Sequence, residues 1–279
     1  MKRRFLRFPD FKFKALTLSY DDGVRQDKRL VSILDKYGLK CTFNINSGLF
    51  SQEKSADEKG RMTLDEVIEL FSSSNHEVAV HGYEHYPLTE VGNAVASRDI
   101  IRDKETLEGL FGAVINGMAY ANGKFNDSVV DMLKQNDFLY ARTTIETENF
   151  DIPNDWLRLT TTCRHRNPKL MELADKFVQP ISNYKWSKTP RLFYLWGHSY
   201  EFDTDDNWNV IEDFAKLMGE RDDIWFATNI EIFRYIQAYD RLMFSADCSL
   251  VYNPSAIDVF IDYFDNQIVV PAGKTIKIK

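Results

Sequence analysis

Thr17-Leu18-Ser19-Tyr20-Asp21-Asp22-Gly23 closes a run in which apolar Leu16, Leu18 and Tyr20 alternate with polar Thr17 and Ser19. A two-residue alternation that stops at two carboxylates and a glycine reads as a β-strand entering a tight turn. Neighbouring side chains at a strand end diverge, so Asp21 and Asp22 are suited to separate tasks: one can hold a metal while the other works on a water. Asp-Asp-Gly is also ordinary turn composition, and the stretch takes its meaning from the rest of the chain.

Outward from it, helix and strand alternate. Leu30, Val31, Ile33, Leu34 and Tyr37 make a helical apolar face stopped by Gly38, and CTFNIN (41–46) follows as a strand, completing one β-α-β unit. Thr63 and Glu66 form a capping-box pair before the face Leu64, Val67, Ile68, Leu70 and Phe71, and EVAV (77–80) is the next strand. Further helices are predicted over 96–111, 127–135, 168–178, 207–218 and 229–239, with strands at 117–120, 138–144, 191–196 and 224–227. Such alternation over more than 200 residues predicts a parallel α/β sheet, closed as a barrel or left open. After residue 240 the pattern changes to short strands with turn signals, so the chain divides into a strand-helix unit over 1–240 and a small β appendage over 241–279, packed on it.

The bulk numbers narrow the partners. The chain has 279 residues and a net charge of -7, with 44% hydrophobic residues to supply a core; this gives no electrostatic reason to expect nucleic acid or an anionic membrane. MKRRFLRFPDFKFK lacks the apolar stretch of a secretory signal and no run has the length of a membrane span, so a cytoplasmic location is expected. Cys41, Cys163 and Cys248 are odd in number and widely spaced, which predicts reduced, mostly buried thiols.

Immediately after EVAV comes His81-Gly-Tyr-Glu-His85. Histidines four apart lie on one side of a helical turn and can chelate a metal, and the acid at the fourth position rules out the zincin pattern. Two imidazoles and a carboxylate from the Asp-Asp turn leave coordination positions open, as a catalytic metal requires. Leu195-Trp196-Gly197-His198 follows another strand, so in a barrel Asp21, Asp22, His81, His85 and His198 converge at the carboxyl ends of the strands. His76 is read as structural and His165, in the polar run CRHRN, as a solvated loop residue. Trp156, Trp186 and Trp196 are candidates to stack on sugar rings.

The order of these motifs resembles the polysaccharide deacetylase family, carbohydrate esterase family 4, with its NodB homology domain. SYDDG is similar to T-F-D-D-G, HEVAVHGYEH (76–85) to H-E-x-x-x-H-[ST]-x-x-H, and LWGH (195–198) to L-x-x-H; CTFNIN and RDIIRDKETLEGLFG (98–112) also look like family segments. The resemblance covers about Leu16 to Tyr239. It implies a distorted (β/α) barrel with fewer units than the triosephosphate isomerase type. It further implies Asp21 as general base, Asp22, His81 and His85 as ligands of a divalent metal (zinc, with cobalt, nickel or manganese as alternatives), His198 as general acid, and Leu195 in the acetyl pocket. Tyr120 and Trp196 are expected to contact substrate.

Two family motifs depart. MAYANG (118–123) stands where R-x-P-Y would be, with Ala119 at the arginine that orients the base, Ala121 at the proline and Asn122 at the residue whose backbone N–H helps bind the oxyanion. Asn122 can keep that donor; nothing in the motif replaces the arginine. In DIPNDW, Asp151, Asp155 and Trp156 miss the D-x-x-x-W spacing, so no carboxylate is assigned behind His198. The implied activity is metal-dependent removal of an N-acetyl group from a sugar, small glycoconjugate or oligosaccharide, by hydrolysis of a non-peptide carbon–nitrogen bond. The alternatives are a hydrolase of a small non-sugar amide and, last, a catalytically silent metal- and carbohydrate-binding protein.

Overall fold

The computed structural model describes residues 5–52, 60–181, 189–264 and 266–278; Trp186 and the first four residues lie outside them. The strand Lys14–Asp21 is buried along its whole length. Leu16, Leu18 and Tyr20 join the apolar layer under the helices. On the opposite face, Thr17 donates to Asn229 Oδ1 and Ser19 accepts from Asn44. A strand covered on both faces is characteristic of parallel sheets.

Around it the described strands run Leu159–Thr161, Tyr140–Glu146, Gly117–Ala119, Glu77–Val80, Cys41–Ile45, Lys14–Asp21, Arg191–Gly197 and Cys163–Arg164, every adjacent pair parallel. Ile224–Phe226 pairs with the first half of Lys14–Asp21, while Cys41–Ile45 takes the second half. The chain from 159 to 164 closes the ring. Its start pairs with Tyr140–Glu146, Thr162 N donates to the Tyr194 carbonyl, and its end pairs with Leu195 and Trp196. The sheet is thus a distorted (β/α) barrel. Its closing segment carries no alternation and was not predicted as strand.

Local chemistry places the helices as expected. Thr63 caps Leu64–Phe71 in a full capping box with Glu66, and Gly112 ends Asn93–Phe111 in the left-handed region. The helix Asn229–Asp240 enters the barrel at the amino ends of the strands, where Thr42 accepts from Asn229 N and Glu77 accepts from Ile230 N. The residues after 240 cover that same end. Val259–Tyr263 pairs with Leu6–Arg7 and with Asn266–Val270, and Val259, Ile261 and Val270 pack with Leu6, Phe8 and Tyr235. The carboxyl ends stay clear of this apolar cover. No helix among the described residues is long and apolar enough to cross a membrane. The three cysteines are free thiols, with Cys41 and Cys163 buried.

Candidate active site

Asp21 is the last residue of its strand and Asp22 the first beyond it. Asp22 N still donates to the Asn44 carbonyl at 3.0 Å, but its φ of 84° turns the chain, so the two carboxylates part. Asp21 points into the barrel, where Asn44 donates to Oδ1 at 2.8 Å and the guanidinium of Arg142 donates to both oxygens. Asp22 stands at the rim. Arg61 donates to its carbonyl at 3.0 Å, while its buried Oδ1 accepts no hydrogen bond among the described residues.

His81 N donates to the Ile45 carbonyl and to Asp103 Oδ2, which extends the sheet edge by one residue. The ring's Nδ1 lies 2.9 Å from the Ala119 carbonyl, so this nitrogen carries the proton and the Nε2 lone pair is free. The segment to His85 is a loop, not the helical turn predicted from H-x-x-x-H spacing: Gly82 and His85 have φ of 86° and 57°. Asn46 holds it by donating to the carbonyls of His81 and Gly82, and Asp99 holds it by accepting from Glu84 N. The loop brings His85 back. Nε2 of His81 and of His85 lie 3.8 and 3.6 Å from Asp22 Oδ1.

One ligand atom from each of Asp22, His81 and His85 lies within 4.8 Å of the others. A buried carboxylate oxygen that accepts no hydrogen bond and has Arg61 Nη2 3.7 Å away, an imidazole locked in the tautomer that exposes Nε2, and a His85 that burial and neighbouring His81 hold down to about 4 together fit a divalent cation. Burial pushes Asp21 up, but Arg142, with His81 and His198, more than offsets this and holds the carboxyl at about 2. His198 lies on the other side of Asp21. Its Nε2 is 3.8 Å from Asp21 Oδ2, the oxygen that is also 3.9 Å from His81 Nε2. Burial lowers the His198 pKa, yet hydrogen bonding to Glu201 and the charges of Asp21 and Asp22 raise it on balance.

Three expectations about neighbouring side chains change. Leu195 packs in the layer between sheet and helices, because strand alternation turns its side chain outward; the site side belongs to Trp196, whose ring is 4.6 Å from the Arg142 guanidinium. Tyr120 is likewise turned into the outer layer, stacked on Phe125 with its hydroxyl donating to the Leu157 carbonyl. Trp156 is buried against Phe233 and takes no part. Asn122 sits exposed in the turn after Gly117–Ala119 with a φ of 55°. His76 accepts from Cys41 N within the core. His165, read as solvated, is 3% exposed and lies beneath His198.

The missing motif groups come from elsewhere in the chain. Arg142 is the in-register partner of Ala119 on the adjoining strand, so its guanidinium reaches Asp21 from the position next to the vacant arginine site. Glu201, three residues past His198, brings Oε2 to 3.5 Å from His198 Nδ1. Arg142 is the sole charge in the strand-like run from Phe138 to Thr144, a signal available in the sequence. Glu201 has only its i+3 spacing to His198. Asp103, whose Oδ1 accepts from the backbone and hydroxyl of Ser47, looks like any acid on an amphipathic helix until its burial is known.

A closed parallel barrel with an Asp–His–His cluster that could hold a cation and an Arg-paired Asp beside it, all at the carboxyl ends of its strands, is an arrangement suited to metal-assisted hydrolysis. Residues 9–141, just under half of the chain, match the model of the polysaccharide deacetylase family. The family comprises hydrolases acting on the carbon–nitrogen bond of N-acetyl groups. The fold is similar to that of a Mycobacterium smegmatis protein described as a polysaccharide deacetylase, with 17% identity, TM-score 0.58, and coverage of 84% of this chain and 93% of that one. An allantoinase, Puue, is similar at 12% identity and TM-score 0.58 over 81% and 91% of the two chains. A peptidoglycan deacetylase from Bacillus subtilis is similar at 14% identity and TM-score 0.50, again over 81% and 91%. No curated protein matches the chain.

Proposed function

We propose that the protein removes N-acetyl groups from a sugar, small glycoconjugate or oligosaccharide, with a divalent cation, zinc foremost, held by Asp22, His81 and His85. The observation that carries this is the position of Asp21. One oxygen of an Arg142-paired carboxylate lies within 4 Å of an imidazole of the metal cluster on one side and of His198 on the other.

The bound cation supplies Lewis-acid polarisation of the amide carbonyl and a more acidic water. Asp21, ionised and fixed by Arg142 and Asn44, accepts a proton from the attacking water. His198, whose pKa its carboxylate neighbours raise, delivers a proton from Nε2 to the departing amine, which leaves poorly as an anion. A backbone N–H in the Ala121–Gly123 turn, that of Asn122, is the donor we assign to the oxyanion. Trp196, with a buried indole N–H that has no acceptor among the described residues, is the side chain we assign to the substrate's polar edge.

The test is acetate release by zinc- or cobalt-loaded protein from a panel of N-acetylated mono- and oligosaccharides, with Asp21→Asn as the blank. Asp21-dependent release is expected, with a loss of about 10²–10⁴-fold in the variant. Metal-loaded protein that releases no acetate from any sugar would overturn the sugar assignment and point to a small non-sugar amide.

A further inference from the structure

The segment Cys163-Arg164-His165-Arg166, which looks like a solvated basic loop in the sequence, surrounds a single buried carboxylate. Glu201 is 1% exposed. Its Oε1 accepts from Arg164 and from Arg166 Nη1, so the group is an anion in the fold even though burial opposes the charge. Its other oxygen faces two imidazoles. His165 Nε2 is 3.2 Å and His198 Nδ1 3.5 Å from Oε2.

His165 has no freedom to do otherwise. Its backbone N–H donates to the Trp196 carbonyl, which continues the strand pairing of 163–164 with 195–196. The ring stacks on Phe202 at 4.2 Å and on Tyr20 at 5.7 Å. On its Nδ1 side it lies against Gly197, where a Cβ would come within 2.0 Å; only glycine lets the imidazole pack against the strand that leads to His198. An imidazole held this way turns Nε2 toward Glu201 Oε2 at 3.2 Å, an approach that does not complete an aligned hydrogen bond, and at His198 Nδ1 the carboxylate oxygen shares its place with Arg164 Nη2, 3.4 Å away.

We propose that His165, Glu201 and His198 form a positioning relay: His165 fixes the Glu201 carboxylate, and Glu201 holds the Nδ1–H of His198, so that in the imidazolium form the Nε2–H is aimed at the leaving group. This rests on the deacetylase reading for what His198 does, and on geometry alone for who holds it. The two arginines keep the carboxylate anionic, so Glu201 orients and does not itself deliver a proton. It comes from the first turn of the short helix Tyr200–Thr204, where Glu201 N donates back to the His198 carbonyl.

Glu201→Gln keeps the shape and removes the anion; His165→Phe keeps the stack on Tyr20 and Phe202 and removes Nε2–H. With metal-loaded enzyme, kcat for an N-acetylated sugar should fall about 100-fold or more in Glu201→Gln with little change in KM, the size of a general-acid contribution. Hydrolysis of 4-nitrophenyl acetate, whose leaving group needs no proton, should fall far less. His165→Phe should show the same substrate bias at smaller size, and Glu201→Gln added to His198→Ala should cost nothing further. Equal losses on both substrates, or additive losses in the double variant, would overturn the relay.

A second measurement does not depend on turnover. Imidazole nitrogen NMR of 15N-histidine protein should show His165 protonated at Nε2 and His198 protonated at Nδ1 in both its charged and its neutral form, so that Nε2 is the nitrogen that titrates, with His198 shifting in Glu201→Gln. Unchanged His198 nitrogens would overturn the relay even in an active enzyme. The expected tautomers in a protein that releases no acetate would keep the relay and reject the reaction.

Discussion

Arg142 and Asp21 sit on strands with three others between them around the sheet, yet the guanidinium of one donates to both carboxylate oxygens of the other across the barrel interior. Both side chains are buried. The pair is what an anionic general base in a dry site requires, because removing one partner strands a buried charge at a cost of about 3–5 kcal/mol. Arg142→Ala is expected to lower kcat by about 100-fold or more and to reduce thermal stability. Ala119, its in-register partner, faces the same interior, so adding Ala119→Arg to Arg142→Ala should restore a measurable part of both; a double variant no better than the single would show that position 119 cannot supply the group.

His85 provides one of the three donors of the candidate metal cluster from a loop that other contacts hold in place. Loss of a mere supporting contact around a metal commonly costs roughly 10–100-fold in affinity, so loss of a donor should exceed that. His85→Ala should therefore bind zinc more than about 100-fold more weakly in isothermal titration while keeping the far-ultraviolet spectrum of the parent. Unchanged metal content would remove His85 from the cluster.

Gly82 adopts a φ of 86°, and a Cβ there would meet Asp99 Oδ2 at 2.7 Å. Both facts oppose any side chain, and the strain falls on the loop that carries His85. Gly82→Ala should weaken metal binding and acetate release together, with a cost on the order of 1–3 kcal/mol in unfolding free energy. Gly112→Ala, equally left-handed but with open space around it, should destabilise without changing metal affinity.

Asp27 is fully buried, accepting from Ser199 and from Val24 N. Burial pushes its carboxyl up to about 8. A carboxyl raised on folding binds its proton more tightly in the native state, so stability is greatest below its unfolded value near 4 and declines as pH rises to about 8. Asp27→Asn, which can still accept from Val24 and donate to Ser199, should remove that decline. Melting temperatures measured from pH 5 to pH 8 in chelator should fall less for the variant than for the parent, and higher at pH 8, by roughly 2–4 °C for each kcal/mol recovered. Parallel curves would mean that Asp27 does not set this slope.

The legible part of this protein was whatever lies close together in the chain. Alternation in Leu16 to Tyr20, the capping box at Thr63 and the strand-then-acid and strand-then-histidine junctions are local; they predict a parallel sheet, closed or open, and mark Asp21, Asp22, His81, His85 and His198 as candidates, while the barrel itself came from the family resemblance. The closing segment 159–164 was silent because its pairing partners are remote strands, which supply the order that its own residues do not encode.

Tertiary structure decided which groups serve that set. A strand's side chains alternate between two faces, and only the closed sheet shows that Trp196 faces in while Leu195 and Tyr120 face out. Spacing alone cannot distinguish a helical turn from the loop in which Gly82 and His85 take positive φ. Most of all, a buried charge is stabilised by whatever partner lies within hydrogen-bonding distance, whatever its place in the chain. Arg142 can therefore stand in for a residue at 119, and Glu201 for an acid expected near 151, because electrostatic pairing depends on distance and burial, which the folded barrel sets and no motif spacing records.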